Sequence, residues 1–335
     1  RRFLPRAFAM SALAASLVMI VLLSTVLSRS AAHWTTALIA LSVAPAMVLG
    51  DWGAYYFQGI GDHARYGLTR MLPPCICMGL TVSQAVHGLT LDGALLAYAV
   101  GYWSVGLWCA VNAWRYLSGG GRGRGVAAPM SLVGYSLRAH PGTLAAITSY
   151  RLDMLLLTII VPLSAVGNYS LATSFATPIA LVGSSLGAFY FRRLGEGSRD
   201  EPAIISAAWR RFVLPTAALS TLAAASAFLV PHVLGHDFDA AVAPMVVLAF
   251  GASGLGALQL GTNILQAQGA PGLASLLFVA AAALSGVTLL LLVPRFGITG
   301  AALSSALTYL AVGSSSAGMT LWRKKGVQFQ GADCA

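Results

Sequence analysis

Ten runs of about 20 apolar residues follow one another along this chain, and no other feature constrains its folding as strongly. A bilayer core about 30 Å thick is crossed by about 20 residues of α-helix. Runs at roughly 8–28, 35–57, 71–89, 92–113, 143–163, 166–191, 212–231, 240–262, 272–293 and 299–322 reach that length. They are apolar on every face, which fits helices and not the alternating strands of a barrel. Soluble domains carry about 25% charged residues. Here 9% are charged and 57% apolar, too few charges for a water-facing surface on 335 residues. The expectation is an all-α integral membrane protein of about ten transmembrane helices. Pro162, Pro178 and Pro244 fall inside or near the ends of spans, where they would kink a helix without abolishing it.

Ten spans divide the rest of the chain into segments on alternating sides. With the N-terminus inside, 17 of the 20 Lys and Arg residues fall on one side, from Arg1, Arg2 and Arg6 through to Arg323, Lys324 and Lys325. The other side keeps Arg29 and Arg295, and Arg151 lies within a span. The positive-inside rule then places both termini in the cytoplasm. The net charge of +10 therefore reads as topology. It argues against nucleic-acid binding, because these cations sit in short loops and not on one compact basic face.

Little here suggests metal or nucleotide chemistry. Cys75, Cys77, Cys109 and Cys334 form no CxxC pair and have no histidine at ligand spacing. His232 and His236, beside Asp237 and Asp239, read as a solvated outer turn. The string Gly119-Gly120-Gly121-Arg122-Gly123-Arg124-Gly125 resembles a GxGxxG fingerprint, but no strand precedes it and no acidic residue follows at the usual distance. It reads as a flexible cytoplasmic linker. Residues 132–140 are expected to form a short interfacial helix leading into the fifth span. No cofactor is expected.

Self-comparison gives a repeat with a period of roughly 209 residues. Arg1-Arg2-Phe3-Leu4-Pro5 resembles Arg210-Arg211-Phe212-Val213-Leu214-Pro215, Gln58-Gly59 resembles Gln268-Gly269, and the stretch from Leu91 to Leu95 resembles Ile298 to Ala302. Two lobes follow: an N-terminal lobe of four helices over 1–117, a linker over 118–142, a C-terminal lobe of six helices over 143–325, and a tail over 326–335. By this repeat the first lobe lacks its first two helices, and the expected whole is a protein of about twelve spans.

Several of these residues carry a family resemblance. Tyr150-Arg151-Leu152-Asp153 followed by Val166-Gly167-Asn168-Tyr169-Ser170-Leu171-Ala172 resembles the hairpin that opens the second lobe of polysaccharide and O-antigen flippases. These belong to the multidrug/oligosaccharidyl-lipid/polysaccharide exporter superfamily. Leu265-Gln266-Ala267-Gln268-Gly269 and the stretch Val293 to Ala302 resemble two further signatures of that group. The resemblance implies a two-lobed bundle in a bacterial inner membrane, with a central cavity opening alternately to either side and no catalytic group. The implied cargo is an oligosaccharide linked through diphosphate to a polyprenol, moved outward for O-antigen or exopolysaccharide synthesis, with glycosyltransferases and a polymerase as implied partners. A drug or metabolite antiporter of the same superfamily is the near alternative, favouring acidic over basic cavity residues. A membrane polymerase or acyltransferase is a more distant one, and an inactive remnant a third.

Arg151 and Asp153 are the clear charges near a helix midpoint, where each costs roughly 2.5–3.5 kcal/mol on insertion scales. Two residues apart on a helix, they face different directions and need separate partners. Arg151 suits a diphosphate through its planar fork of donors, or else pairs with Asp51. Asp153 and Asp51 are the candidates for coupling to a proton or sodium gradient. Arg6, Arg65 and Arg70 are expected to form a mouth that collects an anionic head group.

Overall fold

The computed structural model describes residues 34–85, 88, 90–118, 129–195 and 200–323, and every regular element among them is helical. In chain order these are α1 (Trp34–Ile60), α2 (His63–Ala85), α3 (Leu91–Ser118), α4 (Pro129–Ile160), α5 (Leu163–Gly195), α6 (Glu201–Ala227), α7 (Val230–Leu234), a 3-10 turn (His236–Ala241), α8 (Val242–Ala267) and α9 (Pro271–Arg323). Six apolar stretches, in α1, α3, α4, α5, α9 and the 3-10 turn with α8, are long enough to cross a membrane. Helices α2 and α6 are not among them. The first carries Arg65 and Arg70, and the second starts at Glu201 and takes in Arg210 and Arg211.

Two expectations about boundaries need correcting. The run read from 212 belongs to a helix that starts eleven residues earlier, at Glu201. Its two arginines are therefore helical and do not precede a span. The segment 132–140 is not a separate interfacial helix but the first part of α4, which runs unbroken through Pro141. Proline removes a backbone donor from a helix interior. Beside it, the Ser275 hydroxyl donates to the carbonyls of Arg138 and Ala139 at 2.7 and 3.2 Å. The run read at 8–28 lies outside the described residues.

Helix α9 has 53 residues, about 80 Å at 1.5 Å per residue and far more than one crossing needs. It breaks at Gly297, whose φ of 56° lies in the left-handed region that glycine tolerates. The halves fold back on one another: the Thr288 and Ser304 hydroxyls meet at 2.5 Å, and Ser304 Oγ donates to the Ser285 carbonyl at 3.3 Å. The apolar runs at 272–293 and 299–322 place two helices here, and the backbone breaks between them at Gly297.

The chain divides into two compact units, Arg1–Pro129 and Met130–Ala335. In the first, Phe57, Val105 and Cys109 form the buried centre of α1 and α3, with Tyr56 and Trp108 against them. In the second, Leu157, Tyr169, Ile179, Met245, Leu248, Leu289 and Val293 belong to one core. Small residues let backbones approach where lipid gives no hydrophobic drive for association. A Cβ on Gly183 would strike Gly256 of α8, and one on Gly254 would come within 2.5 Å of the Tyr309–Leu310 backbone. Helices α5, α8 and the second half of α9 are thereby locked side by side.

The ends of the second unit differ in charge. At one, Asn168 Nδ2 donates to the Asp237 carbonyl at 3.3 Å, joining the start of α5 to the 3-10 turn. At the other, Tyr135 donates to the Gln266 carbonyl at 3.1 Å, Gln268 Nε2 to Glu201 Oε1 at 2.6 Å, and Trp209 Nε1 to Thr320 Oγ1 at 3.1 Å. Arg138, Arg192, Arg193, Arg210 and Arg211 belong to segments at this second end, whereas Arg295, Asp237 and Asp239 belong to the first.

Candidate functional site: a polar cavity in the second unit

A cavity of about 460 Å³ opens among α4, α5, α8 and the second half of α9. Tyr150, Arg151 and Asp153 come from α4, while Ser170, Thr173, Ser174 and Thr177 come from α5. Gln259 comes from α8, and Ser305 and Tyr309 from α9, with Leu181, Leu248 and Leu255 among the apolar lining. Arg151 lies nine residues before the end of α4, about 13 Å along the helix axis, so the cavity reaches deep into the span.

The two charges of α4 part company as their spacing predicts. Arg151 is exposed and lines the cavity, and among the described residues no acidic side chain pairs with it. Asp153 is only 8% exposed. Its Oδ2 accepts from the Tyr169 hydroxyl at 2.6 Å, and its Oδ1 from the Met154 amide at 2.7 Å. The Ser305 hydroxyl also lies against the carboxyl. Hydrogen bonds to a charged group contribute about 1.5–3 kcal/mol each, enough to offset much of the desolvation of a carboxyl in a core. Further along the wall, Gln259 Nε2 donates to the Tyr150 hydroxyl at 3.2 Å, and the Tyr309 hydroxyl lies 3.3 Å from Ser149 Oγ.

Among the described residues, Asp51, Arg65 and Arg70 do not line this cavity. Asp51 pairs with Arg70, Nη1 to Oδ1 at 2.5 Å, inside the first unit. The Arg70 guanidinium also lies 5.5 Å from the Tyr55 ring centroid and 5.9 Å from that of Tyr66. Asp51, weighed as a partner for Arg151, is thus already engaged within its own unit. Arg65 contacts Asp62 at 3.4 Å and the Phe57 ring at 5.8 Å. Arg6 lies outside the described residues. Among the described residues no group of three His, Cys, Asp or Glu side chains is placed to hold a metal ion. His236 Nδ1 lies 3.4 Å from Asp239 Oδ2 on an exposed turn.

Sequence reasoning finds Arg151 and Asp153 but misses their surroundings. Tyr169 is read as part of a motif and not as the partner of Asp153. The hydroxyls of α5 are passed over, although Ser and Thr at 170, 173, 174 and 177 follow the i, i+3, i+4, i+7 spacing of one helix face. Gln259, Ser305 and Tyr309 leave no signal of that kind, since only the fold brings them to α4.

Helices this long and apolar, around a cavity lined in part by polar side chains, define a multi-pass membrane protein. No protein-family model matches the chain, and no curated protein matches its sequence. Solved structures do: its fold is that of the MATE transporters. It is similar to an outward-facing multidrug resistance MATE family transporter of the MOP superfamily, with a TM-score of 0.71 at 14% identity over 94% of this chain and 76% of the other. The Vibrio cholerae MATE transporter VcmN in the bent form gives 0.65 at 17% identity, covering 94% and 78%. A MATE structure in the straight conformation gives 0.63 at 16%, covering 95% and 77%. The chain thus spans about three quarters of the length of these proteins.

Proposed function

We propose that this chain is an alternating-access carrier, not an enzyme, that moves a polyprenyl-diphosphate-linked oligosaccharide from the cytoplasmic to the outer leaflet. The observation that carries this reading is the contrast between Arg151 and Asp153. Arg151 is exposed with no acidic partner among the described residues, whereas Asp153, which lines the same cavity, is buried and hydrogen-bonded by Tyr169. A cation held at this depth is costly to insert, and a cargo diphosphate compensates for it. Hydroxyls and an amide around Arg151 offer hydrogen bonds to sugar, and the lipid tail can remain in the bilayer. Arg65, beside Asp62, and Arg70, paired with Asp51, are secondary in this reading. A proton or sodium gradient acting through Asp153 or Asp51 supplies the drive. The arginine-rich end of the second unit faces the cytoplasm by the positive-inside rule, and glycosyltransferases and a polymerase act on either side of the step.

A second reading has its own support. One similar structure is that of a multidrug resistance transporter, and Asp153 is the group an organic cation would seek. We rank this reading second because Asp153 is buried and hydrogen-bonded by Tyr169. Expression in a strain lacking its O-antigen flippase separates the two. Restored surface polysaccharide with unchanged drug susceptibility supports the flippase; lowered susceptibility to organic cations without polysaccharide supports the antiporter.

A further inference from the structure

Arg151 and Asp153 are not the whole of the cavity's polar lining. The same cavity is lined by a ladder of hydroxyls on one face of α5: Ser170, Thr173, Ser174 and Thr177, spread over about 10 Å of helix. Three of them spend their protons on their own helix. Thr173 Oγ1 donates to the Ser170 carbonyl at 2.8 Å, Ser174 Oγ to the same carbonyl at 2.9 Å, and Thr177 Oγ1 to the Thr173 carbonyl at 2.8 Å. A hydroxyl has one donor and two acceptor positions, so a ladder bonded this way presents lone pairs to the cavity. Arg151 presents donors only. An ionised phosphate accepts without donating and suits Arg151. A group rich in O–H and N–H donors suits the ladder.

We infer that the α5 ladder is a carbohydrate subsite, which reads the hydroxyl and amide donors of the sugar nearest the diphosphate while Arg151 holds the diphosphate itself. The inference rests on the reading of the chain as a lipid-linked sugar carrier. Specificity follows from it: the ladder distinguishes a glycosylated lipid from the bare lipid diphosphate, whereas Arg151 does not.

The test measures binding of the purified full chain to two kinds of probe in detergent by native mass spectrometry: bare undecaprenyl diphosphate, and the same lipid bearing a hexose, an N-acetylhexosamine or a uronate. The variant is Thr173→Val/Ser174→Ala/Thr177→Val, which removes only bonds within α5 and keeps side-chain volume nearly constant. A thermal melt of the variant within a few degrees of the wild type shows that the fold is kept; if it melts earlier, the single Thr177→Val variant takes its place. Wild type is expected to bind at least one glycosylated probe tenfold or more tightly than the bare lipid, and the variant to bind both alike with its bare-lipid affinity unchanged. A variant that keeps the wild-type preference overturns the subsite and leaves the carrier reading intact. So does a wild type with no preference for any sugar. A wild type that binds neither bare nor glycosylated lipid overturns the carrier reading and the subsite with it.

Discussion

Each unit brings an arginine and an aspartate into its helices, and the two do opposite things with them. In the first, Asp51 and Arg70 come from different helices, meet at 2.5 Å and are flanked by Tyr55 and Tyr66. In the second, Arg151 and Asp153 share a helix but not a face. Asp153 is buried against Tyr169, and Arg151 stays exposed to the cavity. A paired guanidinium has its charge already answered. An unpaired one beside a polar cavity is poised for a ligand, and its cost on insertion is offset when that ligand binds. The two units therefore teach that the position of an intramembrane arginine matters less than whether the fold supplies its counter-charge.

The largest effect expected from breaking this contrast is on transport. Arg151→Gln should lower lipid-linked sugar transport at least tenfold with little change in thermal stability, read from paired flux and melting measurements. A counter-charge in the cavity sharpens the point: Thr177→Asp, at a residue that lines the same cavity, should also inhibit transport, and Arg151→Gln added to it should cause no further loss. Next in size is Tyr169→Phe, which removes a hydrogen bond to a buried carboxyl and should cost about 1–3 kcal/mol of stability, measured by denaturation in detergent. Arg70→Gln should have a smaller effect, because partly exposed ion pairs contribute about 0–1 kcal/mol. The swap Asp51→Arg/Arg70→Asp should recover much of it. Arg65→Gln, which loosens only an exposed i, i+3 pair with Asp62, should fall within a few tenths of a kcal/mol.

Much of this was legible in the sequence because membrane spans announce themselves by apolar length, and because a charge inside such a run stands out. Arg151 and Asp153 were found that way, and their separation followed from helix geometry alone. The start of α6 was not legible. Glu201, Arg210 and Arg211 are polar enough to end an apolar run, but they do not end a helix, which needs only satisfied backbone bonds. The repeat pairs Gln58-Gly59 with Gln268-Gly269, whereas the turns themselves align differently. After α1, Gly61 at φ 79° bonds back to Gln58 and Asp62 to Phe57; after α8, Gly269 at φ 74° bonds back to Gln266 and Ala270 to Leu265. Gln58 thus matches Gln266, two residues from the expected partner. Tyr309, Ser305 and Gln259 were beyond reach because they come to Asp153 and Arg151 only through the close packing of α5, α8 and α9.

In the proposed function, Arg151 carries the diphosphate of a lipid-linked sugar across the membrane. The most direct measurement of that role is a proteoliposome assay, with the full chain reconstituted and a radiolabelled undecaprenyl-diphosphate sugar scored for its appearance in the opposite leaflet by periodate accessibility. Protein-dependent movement is expected, and Arg151→Gln should reduce it to a tenth or less at equal protein incorporation. Equal movement by wild type and variant, or no movement by a wild type that exchanges an organic cation, would contradict it.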